Sequence, residues 1–138
     1  MVSNPEARMN ISRGRTPGMP SFVVEESLNS AKVFWLEQEK LVEEVSKVAK
    51  RIGEENENVL KIVLFGSLAE GRGVPGSDAD ILIILKEDDR SFIDRIAEWS
   101  ERFALDFPIE VFPYTEKELN TPIAQEAVKK GITLFKRA

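Results

Sequence analysis

Two residue types are missing from this 138-residue chain: it has no cysteine and no histidine. Without Cys there can be no disulfide, no thiolate metal centre and no Cys nucleophile. Without His the chain loses the commonest general base and the usual ligand of zinc and copper. Any metal it uses must therefore be held by oxygen, and hard carboxylate ligands suit Mg²⁺, Mn²⁺ or Ca²⁺. Long apolar runs are also lacking. Uninterrupted stretches such as Ile81 to Leu85 are far too short to span a bilayer, and residues 1–21 have no apolar stretch of the signal-peptide kind. Nor is there an excess of positive charge. Nineteen Lys plus Arg face twenty-four Asp plus Glu, a formal net charge of −5, which argues against nucleic-acid binding by bulk electrostatics. The expectation is a cytoplasmic protein without a membrane segment and without a strong nucleic-acid signal.

The composition that is present, 42% hydrophobic and 31% charged, is that of a globular chain, and the length suits one domain. Residues 1–21 hold Pro5, Pro17, Pro20, Gly14, Gly18 and three arginines without apolar periodicity, and read as a flexible tail. Residues 22–138 are then the domain. From Glu25 to Ile52, apolar residues recur at spacings of three, four or seven, which predicts one amphipathic helix ending near Gly53. Val59 to Phe65 and Asp80 to Leu85 are β-branched, apolar runs of strand length, and the second is apolar enough to be central. Ser91 and Thr115 each open a candidate capping box, with Asp94 and Glu118 as the reach-back residues. Pro108 to Phe112 predicts a third strand. Thr121-Pro122 opens a last helix that Gly131 closes, and Ile132 to Phe135 a fourth strand. The order α-β-β-α-β-α-β is that of a mixed α/β (α+β) domain, a small sheet flanked by helices.

Gly71-Arg72-Gly73-Val74-Pro75-Gly76 matches G-x-G-x-x-G, but a strand follows within four residues and leaves no room for the helix that a dinucleotide site requires. Gly66 to Gly71 has the spacing of a phosphate-binding Walker loop. Arg72-Gly73, however, stands where Lys-Ser/Thr is needed. Both readings fail on their own mechanics.

A different pattern remains: a strand, Gly66-Ser67, ten residues, then Asp78-Ala79-Asp80 leading into Ile81-Leu82-Ile83-Ile84-Leu85. In an extended chain residues i and i+2 point the same way, so Asp78 and Asp80 project side by side. Like charges at the start of an apolar strand repel one another, and a divalent cation between them would neutralise both. Gly66 permits a sharp turn that aims backbone N–H groups and the Ser67 hydroxyl outward, as an anion site needs. A phosphate cradle beside a two-carboxylate metal site suits phosphoryl or nucleotidyl transfer. A third acid, Glu110, alternates out of phase with Ile109 and Val111 and would join the site if its strand neighbours that of Asp80. Asp106 is the alternative, but it precedes the strand.

These residues resemble the minimal nucleotidyltransferases of the DNA polymerase beta superfamily over about residues 27–138. The resemblance implies an enzyme that moves a nucleoside monophosphate, AMP from ATP in the first instance, onto an acceptor hydroxyl. It implies Asp78, Asp80 and Glu110 as catalytic, metal-holding carboxylates for two Mg²⁺, with Mn²⁺ as a substitute. Most members carry Asp where Glu110 stands. Gly66 and Ser67 would hold the nucleotide's phosphates, and Arg72 and Ser77 complete the candidate nucleotide-binding set. Stand-alone members resemble antitoxins whose partners are helical HEPN toxins, so a toxin tyrosine is one expected acceptor, and either a HEPN partner or a homo-oligomer would complete the unit. A second reading is a nucleotidyltransferase-like antitoxin or binding subunit, weak in catalysis, that acts by complex formation.

Overall fold

In the computed structural model, side chains are described for residues 38–72 and 78–138, and the backbone also for 13–14, 23–28 and 31–36. The elements in chain order are β1 (Arg13–Gly14), β2 (Val23–Leu28), β3 (Ala31–Leu36), α1 (Gln38–Glu55), β4 (Val59–Phe65), β5 (Ala79–Leu85), α2 (Phe92–Arg102), β6 (Ile109–Thr115), a 3-10 turn (Glu116–Glu118), α3 (Pro122–Lys130) and β7 (Ile132–Lys136). Among the described residues no helix is long and apolar enough to cross a membrane.

The first part of the long helix expected from Glu25 is strand. β2 and β3 pair antiparallel from Val23↔Leu36 to Leu28↔Ala31, and the helix begins only at Gln38. The reason is local. Val23-Val24 and Val33-Phe34-Trp35 are β-branched and aromatic, types that favour a pleated chain over a helix. The turn-forming types Asn29 and Ser30 divide them in the sequence. The recurring Leu28, Ala31 and Trp35 mimicked a helical stripe without being one. β1, which lies inside the stretch expected to be tail, pairs with β2 beyond it, while the expected boundary at 21–22 lies outside the described residues.

From Gln38 onward the expected element order holds. β6, β5, β4 and β7 form one sheet in that order, with β5 and β6 parallel and the other pairs antiparallel. The central place of β5 explains its apolar run, since both of its faces are covered. Alternation decides which side chain goes where. Ile81, Ile83 and Leu85 face α1 and α2, where Leu41, Val45, Ala49, Ile52, Trp99 and Phe103 complete the larger core. Leu82 and Ile84 face the other way, onto Val63, Phe65 and the two buried alanines of α3, Ala124 and Ala127. Each fully buried Leu, Ile or Phe contributes roughly 1.5–3 kcal/mol. α3 therefore holds its place with small residues, close against the sheet.

The helix starts work as their residues suggest. Ser91 Oγ accepts from Asp94 N at 3.2 Å and Thr121 Oγ1 from Ala124 N at 3.4 Å. Glu118 Oε1 reaches back to Thr115 N at 2.8 Å. β6 runs three residues further than expected, through Pro113 to Thr115. It is an edge strand, where a proline's missing N–H is tolerated.

Candidate functional site

β4 ends at Phe65, and Gly66 turns the chain with φ +82°. That conformation favours glycine, and position forbids any other residue as well: a Cβ on Gly66 would fall on the Asp80 carboxylate. The turn that follows is closed by Glu70 N to Gly66 O (3.2 Å), Gly71 N to Leu68 O (3.3 Å) and Arg72 N to Ser67 O (2.8 Å). The backbone N–H groups of Ser67, Leu68 and Ala69 donate to no acceptor among the described residues. Successive amides left open in this way on a tight turn are of the kind that can receive an anion. Gln38, at the start of α1, donates from Nε2 to Leu68 O at 3.4 Å and tethers this turn to the helix. Nothing in the sequence marked Gln38, because it lay in the middle of an expected helix.

β5 starts level with β6, since Ala79 N donates to Pro108 O at 2.9 Å. The parallel register then sets Asp80 directly against Glu110, while Asp80 also pairs with Phe65 on its other side. The condition placed on Glu110, that its strand neighbour that of Asp80, is therefore met. Asp78 and Glu110 are exposed and Asp80 is half-buried. Burial, then the negative charge of Glu110, then that of Asp78, push the Asp80 carboxyl up to about 6 from an ordinary 3.8. Phe65, the strand partner of Asp80, packs against Phe112 with ring centroids 5.4 Å apart. This aromatic pair was not foreseen.

Arg72 points its guanidinium at Glu70 Oε1, 3.1 Å away, and both are exposed. Asp106 lies before β6, as expected of the alternative acid. Ser77 lies outside the described residues. Gly66, Ser67, Asp78, Asp80 and Glu110 thus come together at one end of the sheet, with Arg72 at the end of the turn.

The donor set suits a hard divalent cation: carboxylate oxygens only, mutually repelling, beside a backbone with no Cβ in the way. Among the described residues no three acidic side chains already enclose a single point closely enough to hold an ion as they stand. Asp80 feels the charge of both Asp78 and Glu110, and the three would have to draw inward around a cation.

Several known proteins are similar. A candidate nucleotidyltransferase of Sulfolobus solfataricus is 22% identical, with 72% of this chain and 84% of that one covered and a TM-score of 0.56. A toxin–antitoxin structure with AMP-PNP is 20% identical over 74% of this chain and 75% of that one, with a TM-score of 0.44. A mutant of the toxin–antitoxin pair MntA-HpeT is 17% identical over the same shares, with a TM-score of 0.45. No functionally curated protein matches significantly. The Sulfolobus likeness shows the fold, an α+β nucleotidyltransferase-like one, and the model of the family "Polymerase beta, Nucleotidyltransferase" matches residues 47–138. That match takes in β4, the turn, β5 and β6 with every candidate residue and more than half of the chain, so the protein belongs to the polymerase beta nucleotidyltransferases and is an enzyme of that family.

Proposed function

We propose that the chain transfers a nucleoside monophosphate, AMP from ATP in the first instance, to an acceptor hydroxyl in a Mg²⁺-dependent reaction. The observation that carries the proposal is the in-register Asp80–Glu110 pair set against Gly66 and its turn. The free amides of Ser67, Leu68 and Ala69 and the Ser67 hydroxyl bind the leaving phosphates. Arg72 exchanges Glu70 for a phosphate oxygen, and Ser77 adds a further hydroxyl. Asp78, Asp80 and Glu110 hold two Mg²⁺, for which Mn²⁺ can substitute, and Glu110 also takes the proton of the attacking hydroxyl. When bound, such ions neutralise the triphosphate and stabilise both the attacking and the leaving oxygen. Every group needed is a backbone amide, a hydroxyl, a guanidinium or a carboxylate, which accords with a chain that has no His.

The acceptor we favour is a tyrosine of a small helical HEPN partner, a pairing supported by the family resemblance of the site. Incubation with ATP labelled at the α-phosphorus, Mg²⁺ and such a partner is the test. Label on the partner with release of pyrophosphate is the expected result, and no transfer to any hydroxyl acceptor overturns it. A second reading, a binding subunit that acts by complex formation, draws on the open spacing of the three carboxylates. It predicts partner inhibition that survives Asp78→Asn, whereas the enzymatic reading predicts its loss.

A further inference from the structure

The face of the sheet that carries Asp80 and Glu110 continues along β5 to Ile84, four residues and about 13 Å away. At that far end a groove of about 370 Å³ opens, lined from β4, β5, β7, α3 and the 3-10 turn. Leu60, Ile84, Leu119 and Val128 provide its apolar surface, and Val128 is half exposed there. Lys61 and Lys136 also line the groove and stand directly opposite one another on β4 and β7. Like charges opposed across a strand pair are destabilising. Neither ammonium has an ion-pair or hydrogen-bond partner among the described residues. The third cation, Arg137, is already committed: its guanidinium donates to Val59 O at 2.8 Å and Asn56 O at 2.9 Å, and to Gly53 O. Among the described residues Glu116 is the one acid in the lining, and it belongs to the 3-10 turn, on a different element from the lysine pair.

An apolar groove with two lysines on one wall that have no partner among the described residues is complementary to a molecule that is hydrocarbon along its length and anionic at one end. Its volume lies in the range of small-molecule sites. We propose that this groove binds a medium-chain carboxylate, its hydrocarbon along Leu60, Ile84, Leu119 and Val128 and its carboxylate between Lys61 and Lys136. The site is separate from the proposed nucleotide site and stands or falls without it.

Calorimetric titration of the full chain with decanoate, decanol and inorganic phosphate tests this. Decanoate is expected to bind saturably with one site, at least tenfold more tightly than decanol, with phosphate weaker than either. The double variant Lys61→Met, Lys136→Met keeps the apolar stems and should erase the preference for decanoate over decanol. Glu116→Gln should tighten decanoate severalfold, and Val128→Glu, at an exposed position, should abolish binding without lowering the melting temperature. Equal affinity for decanoate and decanol, or decanoate affinity unchanged in the lysine variant, overturns the proposal. So does binding only to anionic phospholipid vesicles and not to the free acid.

Discussion

The strands β5 and β6 run side by side, and charge is handled oppositely at their two ends. Beyond the C-terminal ends lies Arg95 of α2, a cation only 5% exposed. It is fully satisfied: Glu118 Oε1 at 2.7 Å, Pro113 O at 3.1 Å, Arg90 O at 3.1 Å and Asp88 O at 3.3 Å all accept from it. Its guanidinium, helped by the Thr115 amide and hydroxyl, holds the Glu118 carboxyl down at about 2. At the N-terminal ends Asp80 has acids for neighbours and, among the described residues, no cation, and its carboxyl is pushed up to about 6. A charge with partners stitches α2, β6 and the 3-10 turn together. A charge with only repelling neighbours is a weakness in the fold, which makes sense where a ligand is to supply the missing charge.

The largest effect separates the two ends by activity. Asp80→Asn is expected to lower nucleotidyl transfer at least a thousandfold, about 4 kcal/mol of lost transition-state stabilisation, while the fold stays intact. Transfer at the wild-type rate, measured with labelled ATP, would remove Asp80 from the site. Arg95→Met should do the reverse. It strands the Glu118 carboxylate and several carbonyls, and should cost about 3 kcal/mol of stability, read as the urea midpoint. The chemistry should suffer only through loss of folded protein. A variant with normal stability but no activity would mean the two ends are not independent.

The pH dependence of stability sharpens the contrast. Asp80 binds its proton more tightly folded than unfolded, so stability attributed to it is present below about pH 4 and lost as pH rises towards 6. Glu118 has the opposite sign: its contribution is complete above about pH 4.5 and disappears as pH falls towards 2. Without divalent ions, Asp80→Asn should flatten the upper window, with a gain of about 1 kcal/mol at pH 7 once solvent screening is allowed for. Glu118→Gln should flatten the lower one. Melting curves from pH 2 to 8 decide this, and identical profiles for wild type and Asp80→Asn would contradict the raised carboxyl.

How far each end could be read from sequence follows the same division. The acidic end was legible because its signals are local and short: a glycine where a strand must turn, two acids two residues apart, a strand that is apolar throughout. Glu110 was readable as a candidate by alternation, but its register against Asp80 depends on a strand pairing that no local pattern encodes. The Arg95 end was half legible. Glu118 showed itself as a capping residue, whereas an arginine on an amphipathic helix reads as solvent-facing, and its burial depends on four carbonyl and carboxylate groups from three other segments. The hairpin β2–β3 was misread for a related reason. A few apolar residues fit two periods at once, and pairing partners rather than spacing decide between them.

The smallest effect expected is at the turn that faces the acids. Ser67 is half-buried, its hydroxyl makes no hydrogen bond among the described residues, and the turn is closed by backbone bonds that do not use it. Removing the hydroxyl therefore takes nothing from the folded state, and Ser67→Ala should leave the melting temperature within a degree or so. If the amides of Ser67, Leu68 and Ala69 form the phosphate cradle, the hydroxyl adds one hydrogen bond to a charged oxygen, about 1.5 kcal/mol, or roughly tenfold in nucleotide affinity. The amides remain in the variant, so binding should weaken without vanishing. Titration with a non-hydrolysable ATP analogue in Mg²⁺ reads the change. Unchanged affinity with a lowered melting temperature would make Ser67 part of the scaffold, and the cradle would then rest on the backbone alone.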